Sequence, residues 1–324
     1  MNKFPRFISK QVGRLLPEKI LFKTDTPVFL PFYHVVSDKH LPYILNYPYR
    51  YPSEFEKELD YYLKYFKPVT LEYLLENPRS KEKVFHLSFD DGLKECADLV
   101  SHVLLKKGIP ATFFVNSGFA NNKALFHRYK ASLILSELIT KPNSEAELFL
   151  NNNGLNRQNI LQTNFSKVDI LDKTANILDI SFSDFLKNKN PYLTTNQIFK
   201  LKENGFSIGA HSENHPEFWT ISEEEQFAEI AQSMSWIVEK FNPAIKTFAF
   251  PFTDSGVSLN LLQKLKSENI CNLTFGTAGV KYDQFKTHLQ RYPAEQPGDF
   301  RLNLKSEFVY YKLRNVVGKS TVKH

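Results

Sequence analysis

Between Lys83 and Val115 the chain spells out a strand, a helix and a second strand. "KVFHLSF" is a short apolar run, and "ATFFV" (Ala111 to Val115) is another. Between them a helical pattern runs from about Leu93 to Lys107, stops at Gly108 and is followed by Pro110. Two strands joined by a helix of this length run parallel. Strands this uniformly apolar are covered on both faces. This unit limits the fold more than any other feature, because it recurs. "TPVFLPFYHVV" (Thr26 to Val36), "FSIGA" (Phe206 to Ala210), "KTFAFPF", "NLTFG" and "KTHLQRYP" all read as strands. "SEFEKELDYYLKYF" places Phe55, Leu59, Leu63 and Phe66 near one helical face, with Ser53 as N-cap and Glu56 closing a capping box. Further helices are expected over about 222–241 and 257–268. The fold class is α/β, with a parallel sheet covered by helices. From about Phe119 to Thr195 the chain turns rich in Asn, Lys, Leu and Ser, which reads as a helical insertion with helices near 125–140 and 166–180.

With 42% hydrophobic residues, 324 residues can bury a sizeable core, and no stretch approaches the roughly 20 apolar residues that span a bilayer. The net charge of +6 sits at the ends. Residues 1–23 and 301–324 each carry six basic and one acidic side chain, which leaves the middle at −4. We read residues 1–27 as a basic leader, 28–300 as the main domain and 301–324 as a basic tail. The charge runs are short, so both ends are expected to be solvated; the alternative is peripheral contact with an anionic membrane. No basic stripe interleaves with stacking aromatics, so nucleic acid is not expected as a partner. The N-terminus lacks a long apolar run and a small-residue cleavage site, so the expected location is cytoplasmic. Cys96 and Cys271 make no disulfide framework and read as buried thiols.

In parallel α/β folds, ligands gather at the C-terminal ends of strands. Those ends hold His34, then Asp90 and Asp91 in "SFDDG", then His211 and His215 in "HSENH", then Phe252 and Asp254 after "KTFAFP". Two His four residues apart share a face on one helical turn, a turn that Pro216 would end. With a carboxylate they make a ligand set for zinc or a related divalent metal that leaves room for water and substrate.

"SFDDG", "HSENH" and "FAFPF", in this order, resemble the motifs of the polysaccharide deacetylase family, the NodB-homology carbohydrate esterases of family 4. The resemblance covers about residues 28–292. It implies a distorted (β/α)7 barrel with a helical insertion, and removal of acetyl groups from an N-acetylated sugar or polysaccharide. Carried onto this chain, it implies Asp90 as general base, Asp91, His211 and His215 as metal ligands, and the Phe252 N–H as an oxyanion donor. The implied cofactor is a divalent metal, zinc first and nickel or cobalt as alternatives. The arginine usual in the third motif is replaced here by Ala249, and Arg291 in "LQRYP" is the candidate to serve Asp90 in its place. The late histidine motif is also missing, and His288 falls in the wrong order. The leader "PFYHVVSD" resembles the permuted branch that contains poly-N-acetylglucosamine deacetylases, which makes His34 the candidate acid.

Phe218, Trp219, Tyr282 and Tyr292 are candidates for sugar stacking or for core. His127 and Arg128 are candidates for a lid, and His86, inside a strand, for structure. Two alternatives stay open: a deformylase or amidase on a lipid-linked sugar, and a non-catalytic carbohydrate-binding protein that kept the fold.

Overall fold

A computed structural model describes residues 3–22 and 26–324. Six strands, β1 (Pro31–Tyr33), β2 (Leu87–Phe89), β3 (Ala111–Val115), β4 (Ser207–Ala210), β5 (Thr247–Ala249) and β6 (Leu273–Gly276), lie side by side in chain order, all parallel. The register runs Phe32 beside Ser88, Ser88 beside Thr112 and Thr112 beside Ser207.

One segment closes the ring. β7 (His288–Gln290) pairs with β6, and β8 (Tyr292–Pro293) pairs with β1. Only Arg291 separates them. The Arg291 N–H reaches back to the Gly276 carbonyl at 3.1 Å, and the Tyr292 N–H reaches forward to the Leu30 carbonyl at 2.8 Å. Residues 288–293 are therefore the seventh stave, bonded to the sixth on one side and the first on the other. This is the expected (β/α)7 barrel, distorted where the last stave changes partners.

Alternation along each strand divides the apolar side chains between two cores. Phe114 packs with Leu30, Leu273, Phe275 and Leu289 in one cluster. Its neighbour Phe113 packs with Phe89, Leu87 and the surrounding helices in the other. Both sides of each stave are buried, so the strands read as continuous apolar runs.

Several expectations need correction. The first helix of the main domain is Pro52–Tyr65, with Tyr51 as N-cap and the Glu54 carboxylate accepting the Tyr51 N–H at 3.0 Å. Pro52, with no N–H and a fixed φ, suits the first helical position, so the helix starts upstream of Ser53. "KVFHLSF" is two short strands: Val84–Phe85 pairs with Lys67–Pro68 outside the barrel, and only Leu87–Phe89 is a stave. The helix after β2 opens as a π-helical turn at Cys96–Val100 before the α-helix Ser101–Lys107, and Gly108 ends it at φ 64°. Between β3 and Thr195 the α-helices are His127–Thr140, Ser144–Asn152, Val168–Ile177 and Phe182–Lys189.

The basic ends are not solvated tails. Lys3–Leu15 and Phe300–Val316 are helices packed on each other, and Thr321–Val322 pairs with Tyr282–Asp283. Leu304, Phe308 and Tyr311 recur at helical spacing and are buried, with Phe308 against Phe22 and Phe66. The charge count hid that apolar stripe. Residues 1–2 and 23–25 of the basic leader lie outside the described residues. Cys96 and Cys271 are buried free thiols, as read.

Gly209 tests the barrel interior. A Cβ there would sit 2.5 Å from the Phe114 ring and 2.6 Å from Thr247 Oγ1. Gly209→Ala should therefore cost about 1–3 kcal/mol by overpacking. The expected readout is a lower urea midpoint at unchanged m-value; an unchanged midpoint would mean that Phe114 does not fill the barrel against this strand.

Candidate active site

The end of β2 shows how two adjacent carboxylates reach one site. The Asp90 N–H still bonds to the Tyr33 carbonyl at 2.9 Å, so Asp90 continues the strand and faces the same side as Ser88. Asp91 then adopts φ 68° and Gly92 φ 62°, which turns the chain so that the second carboxylate swings beside the first. Ser212, His215 and Phe252 are also left-handed, at φ 67°, 55° and 56°. A bulky residue such as Phe252 rarely takes this region, and such strain collects at functional sites.

Arg291 sits beneath Asp90 and is 1% exposed. Its Nη1 donates to Asp90 Oδ1 at 2.7 Å and its Nη2 to Asp90 Oδ2 at 2.8 Å, a bidentate pair. Nη1 also donates to Ser88 Oγ at 3.0 Å, and the guanidinium lies 4.3 Å from the Phe32 ring centroid. Burial works against the Asp90 charge, but Arg291 and then His211 hold its pKa below the ordinary carboxylate value.

"HSENH" is not a helical turn. It is a loop that bends at Ser212 and His215, and the Ser212 hydroxyl accepts the His215 N–H at 2.9 Å. The Glu229 carboxylate accepts the N–H groups of Glu213 and Asn214 at 2.8 and 2.9 Å, which anchors the bend to the Glu223–Phe241 helix. The i, i+4 spacing brings the rings together by another route, with centroids 4.9 Å apart.

His211 Nδ1 donates to the Ala249 carbonyl at 2.8 Å. A carbonyl only accepts, so this bond fixes the tautomer and leaves Nε2 with its lone pair. Burial pushes the His211 pKa down to about 4, so the ring is neutral at pH 7. Its Nε2 lies 3.6 Å from Asp91 Oδ1, and His215 Nε2 lies 3.2 Å from the same oxygen. Asp91 Oδ2 accepts from Tyr129 Oη at 2.9 Å and Tyr47 Oη at 3.3 Å, whereas the buried Oδ1 has no hydrogen-bond partner among the described residues. Arg291 neutralises Asp90, whereas no arginine or lysine is paired with Asp91 among the described residues. An orphaned carboxylate oxygen beside two imidazole nitrogens, all mutually within 4.8 Å, fits a divalent cation.

The profile described as "Polysaccharide deacetylase" matches residues 77–270, more than half of the chain. The chain belongs to the polysaccharide deacetylase family. Solved structures agree in fold. A Streptococcus pyogenes deacetylase, PplD, in complex with acetate is similar at TM-score 0.56 and 15% identity, covering 88% of this chain and 99% of that one. IcaB from Ammonifex degensii is similar at TM-score 0.56 and 15% identity, covering 89% of this chain and 98% of that one. A de-N-acetylase from Aggregatibacter actinomycetemcomitans is similar at TM-score 0.51 and 14% identity, over 86% and 99% of the two chains. No curated protein matches the sequence.

The profile match leaves out His34 and Tyr47, which line the cavity, and Arg291 and Glu295, which bond to residues that line it. The cavity, of about 230 Å³, is lined by His34, Tyr47, Asp90, Asp91, His211, His215 and Phe252 among others. The His34 ring stacks on Tyr47 at 4.4 Å, and its Nδ1 donates to Glu295 Oε2 at 2.6 Å. The same carboxylate accepts the backbone N–H groups of His34 and Val35. Burial opposes a charge on His34, yet Glu295 raises its pKa to about 9. Glu295 was missed in the sequence, although it follows the last stave closely; the usable signal was a carboxylate at a strand end with no assigned partner. Tyr47 and Tyr129 were missed because 15 tyrosines make any one uninformative.

Among the stacking candidates, Phe218 and Tyr292 are core. Tyr282 packs on Tyr311, and only Trp219, 5.9 Å from the Phe252 ring, lies near the cavity. Arg128 does reach the cavity, stacked 4.2 Å over Phe252 and bonded to Glu217, while His127 is buried beside it. Asp254 departs from the group at the strand ends, because its carboxylate faces His288 and Gln290 outside the cavity. His86 is structural, bonded to the Val69 carbonyl and Thr112, and burial lowers its pKa to about 4.

Arg291→Met would leave the Asp90 charge buried without its partner. The expected loss of stability at pH 7 is about 3–5 kcal/mol. Because the native pKa of Asp90 is depressed, the pair stabilises above the ordinary carboxylate value of about 4 and loses its effect as pH falls through the native value. Denaturant unfolding across pH should show the gap between wild type and variant narrowing in acid; a gap independent of pH would contradict the pairing.

Proposed function

We propose that this chain hydrolyses the acetamide of N-acetylated sugar residues in a polysaccharide and releases acetate. The observation that carries the reading is the orphaned Asp91 Oδ1 between two imidazoles, with Asp90 clamped beside it by Arg291. Asp91, His211 and His215 would hold the divalent ion, zinc first by donor type, with nickel or cobalt as alternatives. Bound there, such an ion supplies Lewis-acid polarisation of the acyl oxygen and acidifies water.

The chain's own residues divide the remaining tasks. Asp90, ionised and fixed in orientation, takes the proton of the attacking water. The Phe252 N–H, in a strained backbone at the cavity wall, donates to the oxygen as negative charge develops on it; one such donor is typically worth about 3 kcal/mol. His34, held as imidazolium by Glu295, protonates the departing amine, without which an amide does not cleave at a useful rate. Tyr47 and Tyr129 orient Asp91 through its other oxygen.

The test is acetate release from acetylated chito-oligosaccharides by protein purified without a histidine tag. Turnover should vanish with chelator, return with zinc, cobalt or nickel, and fall about 10²–10⁴-fold in Asp90→Asn. Formate release from a formylated sugar without acetate release would overturn the acetyl assignment. Sugar binding without any turnover would overturn the enzymatic one.

The acid has its own signature. His34 works protonated, so activity should fall as pH rises through its pKa. Glu295→Gln removes the charge that raises that pKa, and the alkaline limb of the pH–rate profile should move down towards the ordinary histidine value of about 6.5. An unmoved limb would exclude the His34–Glu295 pair as the proton donor.

A further inference from the structure

On the outer face of the barrel a second group of ligand-type side chains converges. Asp254 comes from the loop after β5, Asp283 from the Tyr282–Asp283 strand, His288 from β7, and His324 from beyond the Thr321–Val322 strand. One carboxylate oxygen or ring nitrogen from each lies within 4.8 Å of all the others, and three of the four side chains belong to buried residues. His288 Nε2 is 3.0 Å from Asp254 Oδ2, and His324 Nε2 is 3.0 Å from Asp283 Oδ2 and 3.9 Å from Asp254 Oδ2. The packing is tight: a Cβ on Gly276 would sit 2.3 Å from Asp254 Oδ2. We propose that Asp254, Asp283, His288 and His324 form a second divalent-cation site, separate from the catalytic cavity.

The hydrogen bonds leave a place between His324 and Asp283 that either a cation or a second proton fills, and the zinc count below decides between them. His324 Nδ1 donates to the Val257 carbonyl at 2.9 Å, so a neutral His324 turns the lone pair of Nε2 towards the Asp283 carboxylate. Two lone pairs at that distance repel unless a cation or a second proton lies between them. A backbone carbonyl that fixes the far nitrogen is the arrangement found at metal-binding histidines, and His211 shows it in the active site. His288 Nδ1 has Thr274 Oγ1 at 2.8 Å, a hydroxyl that accepts as well as donates, so its Nε2 is also able to present a lone pair. Gln290 Nε2 donates to both carboxylates, at 2.6 and 2.9 Å, and orients them.

Two nitrogens and two carboxylate oxygens suit zinc. Four protein ligands describe a closed, structural site rather than a catalytic one. Its position gives it a task. His288 and Gln290 alternate with Arg291 along the seventh stave, so a cation on the outer face fastens the stave whose next residue clamps Asp90. It also ties the 321–324 segment to the barrel.

The experiment measures zinc per chain by mass spectrometry after loading and gel filtration, with no histidine tag. Wild type should hold two equivalents, the His211→Ala/His215→Ala protein one, and the His324→Ala/Asp283→Asn protein one. Cobalt added to the His211→Ala/His215→Ala protein, whose outer cluster is intact, should give a visible d–d band that saturates at one equivalent. Zinc should also raise the melting temperature of that protein, and His324→Ala in the same background should abolish the rise. No band and no zinc in the His211→Ala/His215→Ala protein would overturn the proposal without bearing on the reading of the active site, which wild-type zinc content and turnover test. Undiminished zinc in the His324→Ala/Asp283→Asn protein would overturn it as well.

Discussion

The bidentate pair between Asp90 and Arg291 joins fold and chemistry. Arg291 is the one residue between β7 and β8, at the point where the seventh stave changes partners and shuts the barrel. Its guanidinium crosses the top of the inner core, against Phe32 and Phe114, and ends on the carboxylate that heads β2. A buried ion pair seldom stabilises more than a well-packed apolar pair would. This one instead uses both terminal guanidinium nitrogens to hold the Asp90 carboxylate ionised and in one orientation.

Charge bookkeeping around the cavity follows from that pair. Arg291 balances Asp90, and Glu295 balances His34, each partner reaching in from the final stave or the residues just after it. Asp91 is left over, buried, with one oxygen held by two tyrosine hydroxyls and the other facing the Nε2 atoms of His211 and His215. A buried carboxylate oxygen beside two imidazoles in a low-dielectric site is an arrangement that a dication would fit. The Arg50 side chain steadies the same edge: its guanidinium donates to the carbonyls of Ala294 and Gln296, on either side of Glu295, and to Glu58.

Much of this was legible in the sequence because the staves are buried on both faces and the turn residues at their ends are polar. "SFDDG" and "HSENH" announce themselves as breaks in apolar runs. The route by which His211 and His215 meet was not legible, since residue spacing does not reveal a left-handed φ at Ser212 and His215. Arg291 could be nominated from its strand-end position, but its bidentate grip depends on barrel closure, a contact between residues 201 apart in sequence. Glu295 carries no motif at all. The packed ends of the chain were misread because counting charges ignored the Leu304, Phe308 and Tyr311 stripe beneath them.

The most direct test of the central claim is the position of a zinc anomalous peak in crystals grown with the metal. The account predicts density bounded by Asp91 Oδ1, His211 Nε2 and His215 Nε2, with Asp90 still paired to Arg291 and not a ligand. An empty cavity at full zinc occupancy elsewhere, or Asp90 detached from Arg291 and bound to the ion in place of Asp91, would contradict it.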